Sequence, residues 1–208
     1  MLAAQGIVVA LAVTIESPII NLLATSTALV KDRPTYTLVR RFTIHWAIFL
    51  TIISVLLAFT PLFDLVIVDI MQTPPPVAAW VQPGLKIMTF WSAAIAWRRF
   101  LQGVLIHFGL TRRVAWGTVA RLITSGGTAV VLFAATDWAG VIIGTTSLMT
   151  GVIAEAIFAT IAVRPILHNQ LAPDSPRAEQ PDLTYRELFW FHLPLASTSL
   201  LSLLAQPL

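Results

Sequence analysis

Six stretches of this sequence, about 5–29, 42–70, 77–107, 114–135, 138–163 and 188–208, are overwhelmingly apolar for about 20 residues or more. Each is long enough to cross a hydrocarbon core of about 30 Å as a helix rising about 1.5 Å per residue. In lipid an unsatisfied backbone group costs several kcal/mol, so a spanning segment must be a helix or part of a closed barrel. A barrel strand alternates apolar and polar over about 10 residues, and the continuous run from Trp46 to Phe59 does not. Composition agrees. Of 208 residues 57% are hydrophobic and 11% charged, against about 25% charge in a soluble domain, so a soluble globule would lack the polar surface to cover itself. The chain is therefore expected to be an all-α, polytopic transmembrane helix bundle of about six spans. The absence of cysteine from the sequence excludes a disulfide scaffold, iron–sulfur clusters and thiolate zinc sites. A net charge of only +3 argues against a nucleic-acid partner.

The segments between the runs set an expected orientation. Segment 30–41 carries Lys31, Arg33, Arg40 and Arg41; segment 71–83, with Pro74, Pro75 and Pro76, carries no Lys or Arg. Segment 108–113 has Arg112 and Arg113, the turn 136–138 has none, and segment 164–187 has Arg164, Arg177 and Arg186. By the positive-inside rule the basic loops 30–41, 108–113 and 164–187 are expected to be cytoplasmic and the N-terminus outside, in a multi-pass protein of the cell membrane. Trp80, Trp116, Trp138 and Trp190 fall near span ends, where interfacial aromatics belong. The first run has no basic region before it and no A-x-A-type site, so it reads as a span rather than a signal peptide. The stretch 165–186 contains Pro165, Pro173, Pro176 and Pro181 and is not expected to form one continuous helix. The expected organisation is a five-helix bundle over 1–165, a cytoplasmic linker over 166–186, and over 187–208 the start of a further helix of a second bundle. An exterior start on an uncharged span, and an end at Gln206-Pro207-Leu208, suggest a piece of a longer transporter-like protein.

No P-loop, HExxH, GxSxG or glycine-rich dinucleotide fingerprint occurs, so neither an enzyme nor a cofactor is expected. His45, His107, His168 and His192 are scattered and read as interfacial polar residues rather than metal ligands. What remain are ionisable residues inside spans, which cost about 2.5–3.5 kcal/mol each at mid-membrane and are the default functional candidates. Glu16 lies about 15 Å into its span at the usual helical rise. It is followed by Ser17, Pro18 and Asn21, and Pro18 should kink the helix and free a carbonyl near Thr14. A carboxylate beside an opened backbone can hold a proton or a cation, so Glu16 and Asn21 are candidates for that site; the plainer reading is a neutral Glu bonded to a neighbouring helix. Glu155, Arg121, Arg98 and Arg99 fall at comparable depths on three spans, and Glu155 with Arg121 or Arg99 would neutralise each other. These charges are either structural, with arginines snorkelling to headgroups, or a gate or basic cavity wall for an anionic substrate. Asp64, Asp69 and Lys86 sit near the outer surface, where solvation explains them. Gly140-x-x-x-Gly144 and Gly126-Gly127 are expected to favour close helix packing.

The stretch Arg99-Phe-Leu-Gln-Gly-Val-Leu-Ile-His-Phe-Gly-Leu-Thr-Arg112 resembles the RGxLxxxGxTR pattern of multidrug and toxic compound extrusion (MATE)-like transporters, of the multidrug/oligosaccharidyl-lipid/polysaccharide exporter superfamily. GVIAEAIFATIAVRPIL, around Glu155, is similar to the end of the sixth helix there. The opening GIVVALAVTIESPIINLLATSTALVKDRPTYTLVRRF resembles a second helix with its basic loop, and YRELFWFHLPLASTSLL the start of a seventh. Bacterial relatives of the progressive ankylosis protein are the nearest group. The resemblance implies a two-bundle transporter working by alternating access, driven by H⁺ or Na⁺ antiport, of which this chain would hold helices two to six and the start of seven, a partial MATE-like fold. The implied partners are the lipid bilayer, a small-molecule or anionic substrate, the coupling ion and the missing second bundle. The family's acidic cation site in a first helix has no counterpart here. A lipid-linked oligosaccharide flippase of the same superfamily and a non-transporting scaffold are the alternative functions.

Overall fold

The computed structural model describes residues 2–172 and 183–204, without the side chains of the last two, and within them the chain is all-helical. The order is α1 (Leu2–Glu16), a 3₁₀ turn (Ser17–Ile19), α2 (Leu22–Leu29), α3 (Arg33–Phe59), a π-helical turn (Asp64–Ile70), α4 (Pro75–Ile87), a 3₁₀ turn (Met88–Phe90), α5 (Trp91–His107), α6 (Thr111–Ala135), α7 (Gly140–Asn169) and α8 (Tyr185–Leu204). Among the described residues four helical stretches are long and apolar enough to cross a membrane: Leu2–Leu29, Arg33–Phe59, Thr111–Ala135 and Gly140–Asn169. The run expected over 77–107 is two shorter helices, α4 and α5, joined at Met88–Phe90, where the Thr89 hydroxyl bonds back to the Lys86 carbonyl at 2.8 Å.

Several boundaries move for identifiable reasons. The basic stretch expected as a loop over 30–41 is helical from Arg33. The Asp32 side chain accepts the Thr35 N–H at 3.0 Å while the Thr35 hydroxyl accepts the Asp32 N–H at 3.1 Å, a capping box reinforced by Pro34 in the first turn. The run expected over 42–70 stops at Phe59, because Pro61 pushes Thr60 into an extended conformation (φ −119°, ψ 170°). Much of the 71–83 loop is the start of α4, with Pro75 and Pro76 in its first turn. Helix α7 continues through Pro165 to Asn169, so the expected linker starts later; residues 173–182 of it, with Arg177, and Gln206-Pro207-Leu208 lie outside the described residues.

Helix α5 is the hub, packed against α2, α3 and α7. Leu101, Val104 and Leu105 are fully or almost fully buried there, with Phe100 between Tyr36 and Trp97. Its tightest approach is at Gly103, where a Cβ would meet the Leu23 carbonyl oxygen at 2.5 Å, so α2 can lie on α5 only over a glycine. The glycines singled out in the sequence behave differently. Gly126, Gly127 and Gly140 face open space, and only Gly144 closes on a neighbour, the Gln5 side chain. Helix α6 packs mainly on α7 and leaves Leu122, Ile123, Val130, Val131 and Phe133 exposed. Such a continuous apolar face suits hydrocarbon rather than water. Arg33 donates to the Leu171 carbonyl at 2.8 Å and Arg113 to the Ala162 carbonyl at 2.7 Å, so the basic starts of α3 and α6 and the end of α7 collect at one end of the bundle.

Candidate functional site

Among the described residues three carboxylates are buried: Asp32, the cap of α3, and two within the long apolar helical stretches, Glu16 and Glu155. Glu155, on α7, is fully buried. Its Oε2 accepts Arg98 Nη1 at 2.7 Å and lies 3.7 Å from Arg121 Nε; its Oε1 accepts Gln102 Nε2 at 2.9 Å and the Thr118 hydroxyl at 3.4 Å. The donors come in helical register. Arg98 and Gln102 are one turn apart on α5, and Thr118 and Arg121 one turn apart on α6. Close approach of α6 and α7 is permitted by Gly151, whose Cβ would meet Ser125 Cβ at 2.9 Å and the Arg121 carbonyl at 3.1 Å. Both carboxylate oxygens are thus satisfied from two neighbouring helices, which is what a desolvated charge requires.

Arg98 is therefore the main partner of Glu155 and Arg121 a looser second one; Arg99, the other partner considered from sequence, makes no ion pair with a described residue. Consecutive residues on a helix point about 100° apart, so Arg98 and Arg99 could not both face Glu155. Gln102 and Thr118 were missed in the sequence. Their signal is spacing, one turn after Arg98 and one turn before Arg121.

Glu16 ends α1, where Pro18 lacks an N–H and the chain tightens into the Ser17–Ile19 turn. It is 8% exposed and its Oε2 accepts the Trp91 indole N–H. No described cation forms an ion pair with it, although Arg98, Arg99 and Arg121 lie within electrostatic reach. Beside it, the Ser17 hydroxyl is buried without a hydrogen-bond partner among the described residues.

Asn21, the other residue considered with Glu16, follows the same turn and bonds to α8. Its side-chain amide donates to the Leu195 carbonyl at 2.7 Å and to the Ser199 hydroxyl at 2.6 Å, tying α8 to the turn. His192 completes that seam. Expected at an interface, it is instead fully buried, with Nε2 2.8 Å from the Pro18 carbonyl and Nδ1 2.9 Å from the Thr25 hydroxyl. A carbonyl only accepts, so Nε2 carries the proton; the Thr25 hydroxyl, which also donates to the Asn21 carbonyl at 3.0 Å, makes the contact at Nδ1. Pro18 thus exposes its own carbonyl at a break in the helix, and α8 supplies the donor. Elsewhere Nδ1 of His45 meets the Tyr185 hydroxyl and Nδ1 of His107 the Thr27 carbonyl, while His168 is exposed. No cluster of three His, Cys, Asp or Glu able to hold a metal occurs among the described residues.

Compared with family models, with curated proteins and with solved structures, the chain matches none.

Proposed function

We propose that this chain is part of a MATE-like secondary active exporter, moving an organic or anionic solute across the cell membrane in exchange for H⁺ or Na⁺, with Glu16 carrying the coupling ion. One arrangement supports this reading: a buried carboxylate at the mid-length break of the Leu2–Leu29 span, held by a single indole N–H and by no ion pair with a described residue. A carboxyl held so lightly can gain or lose a proton, or take a cation beside the buried Ser17 hydroxyl, while the packing around it stays intact. The basic end of the bundle is then the cytoplasmic side. A flippase for a lipid-linked diphosphate would need Arg98, Arg99 and Arg121 around one wide cavity. Arg98 is engaged by Glu155, which favours a smaller solute. A scaffold would pair every buried charge, and Glu16 is unpaired in that sense.

The test uses energised everted vesicles from cells expressing the parent transporter that contains this chain, with a dye reporting the pH gradient. Added organic cations and anions, or Na⁺, should collapse part of the gradient. Glu16→Gln vesicles containing equal protein should not respond. Equal responses from both, or no response beyond vesicles lacking the protein, would remove the exporter reading.

A further inference from the structure

A groove of about 340 Å³ runs between α3 and α5, lined on α3 by Thr43, Ile44, Ala47 and Thr51 and across it by Ala93 and Trp97. The α3 lining extends from Thr43 to Ile52, about 13 Å along the axis. Its walls are almost wholly apolar, and Ile48 and Ile52 on its rim are half exposed. One end is capped by charge. The Arg40 guanidinium lies over the Trp97 ring, 5.9 Å from its centroid, and Arg40 precedes Ile44 by one turn on the same face of α3. Trp97 is fixed in turn, donating its indole N–H to the Thr160 hydroxyl on α7 at 2.9 Å. Arg40 and Arg41 are both exposed, and neither forms an ion pair with a described carboxylate.

We infer that this groove binds one anionic phospholipid, with an acyl chain along Ile44, Ala47 and Trp97 and the phosphate on Arg40. An apolar slot open to the side of a helix bundle fits a hydrocarbon chain. A cation held at its headgroup end by an aromatic ring distinguishes an anionic lipid from the zwitterionic bulk. The arrangement stands apart from Glu16 and holds whether or not the chain transports anything.

The experiment measures lipid binding to the detergent-purified protein by native mass spectrometry, titrating phosphatidylglycerol or phosphatidylcholine of the same chain length. One phosphatidylglycerol should bind per chain in preference to phosphatidylcholine. Arg40→Gln should weaken it about fivefold, the value of one basic residue near a charged headgroup, and Arg40→Lys should largely restore it. Ala47→Leu, which fills the slot and keeps the charge, should weaken it too, whereas Arg112→Gln, at the same end but off the groove, should not. Glycerol 3-phosphate, which has the charge without the chain, should not compete. Equal binding of the two lipids, an unaltered Arg40→Gln titration in a folded variant, or competition by glycerol 3-phosphate would each overturn the inference.

Discussion

Glu155 receives hydrogen bonds from Arg98, Gln102 and Thr118 and lies beside Arg121, so two helices supply its partners across both oxygens. Glu16, on the other side of α5 in sequence and also buried, receives one indole N–H from Trp91. The two differ in what their removal would leave behind. Without Glu155, Arg98 is a buried cation with its counter-charge gone. Without the charge on Glu16, Trp91 still has an oxygen to donate to. The first carboxylate is bound into the packing on both oxygens; the second keeps its one described neighbour bonded whether or not it carries charge.

The largest effect that would sharpen this contrast is Glu155→Ala, which should cost about 3–5 kcal/mol. It should abolish a cooperative melt of the detergent-solubilised protein, or sharply reduce its amount in the membrane. A melt like that of the wild type would break the comparison. Next comes Gly151→Leu, which drives a side chain into Ser125 and the Arg121 backbone and separates α6 from α7. Overpacking of this kind costs about 1–3 kcal/mol, read as a lowered melting temperature; Gly126→Leu, at a position facing open space, serves as the control that should melt normally. Glu16→Gln should change the same melt by less than about 1 kcal/mol, since one charge-assisted bond becomes a neutral one.

The smallest effect lies outside both sites. At the start of α8 the Glu187 carboxylate accepts the Thr184 N–H at 2.8 Å and hydroxyl at 2.9 Å, and these bonds hold its pKa below the usual 4.5. A group whose folded pKa is lowered contributes stability above its unfolded value and loses it as pH falls through the folded one. Amide-exchange protection at the start of α8 should therefore be full at neutral pH and fall below about pH 4.5; Thr184→Ala, which loses the hydroxyl and keeps the backbone N–H, should lessen that pH dependence, and Glu187→Gln should remove it.

Much of this contrast was legible in the residues. Hydropathy alone locates the long helices, because lipid allows the chain few other ways to satisfy its backbone. The break after Glu16 follows from Pro18, whose missing N–H is a local fact. The start of α3 was written in Asp32, Pro34 and Thr35, but the arginines around them read as a loop. The partner of Glu155 could not be fixed between neighbouring arginines, because the rotation of α5 against α7 is a tertiary matter; Gln102, one turn from Arg98, carried the missing hint. His192 was beyond reach. Its burial depends on α8 meeting the Pro18 carbonyl, a contact spanning 174 positions. Glycine pairs misled for a related reason: spacing shows that two helices could approach, and only the packed bundle shows that Gly103 and Gly151 are where they do.

The contrast between the two carboxylates is tested most directly by infrared difference spectroscopy of the carboxyl C=O stretch, recorded on the membrane-reconstituted protein across a pH titration. A buried carboxyl band that titrates in the wild type and is missing in Glu16→Gln is the predicted result. A titrating band that survives in Glu16→Gln and disappears in a folded Glu155→Gln variant would contradict the account, because the exchangeable proton would then sit in the cluster assigned to holding the helices together.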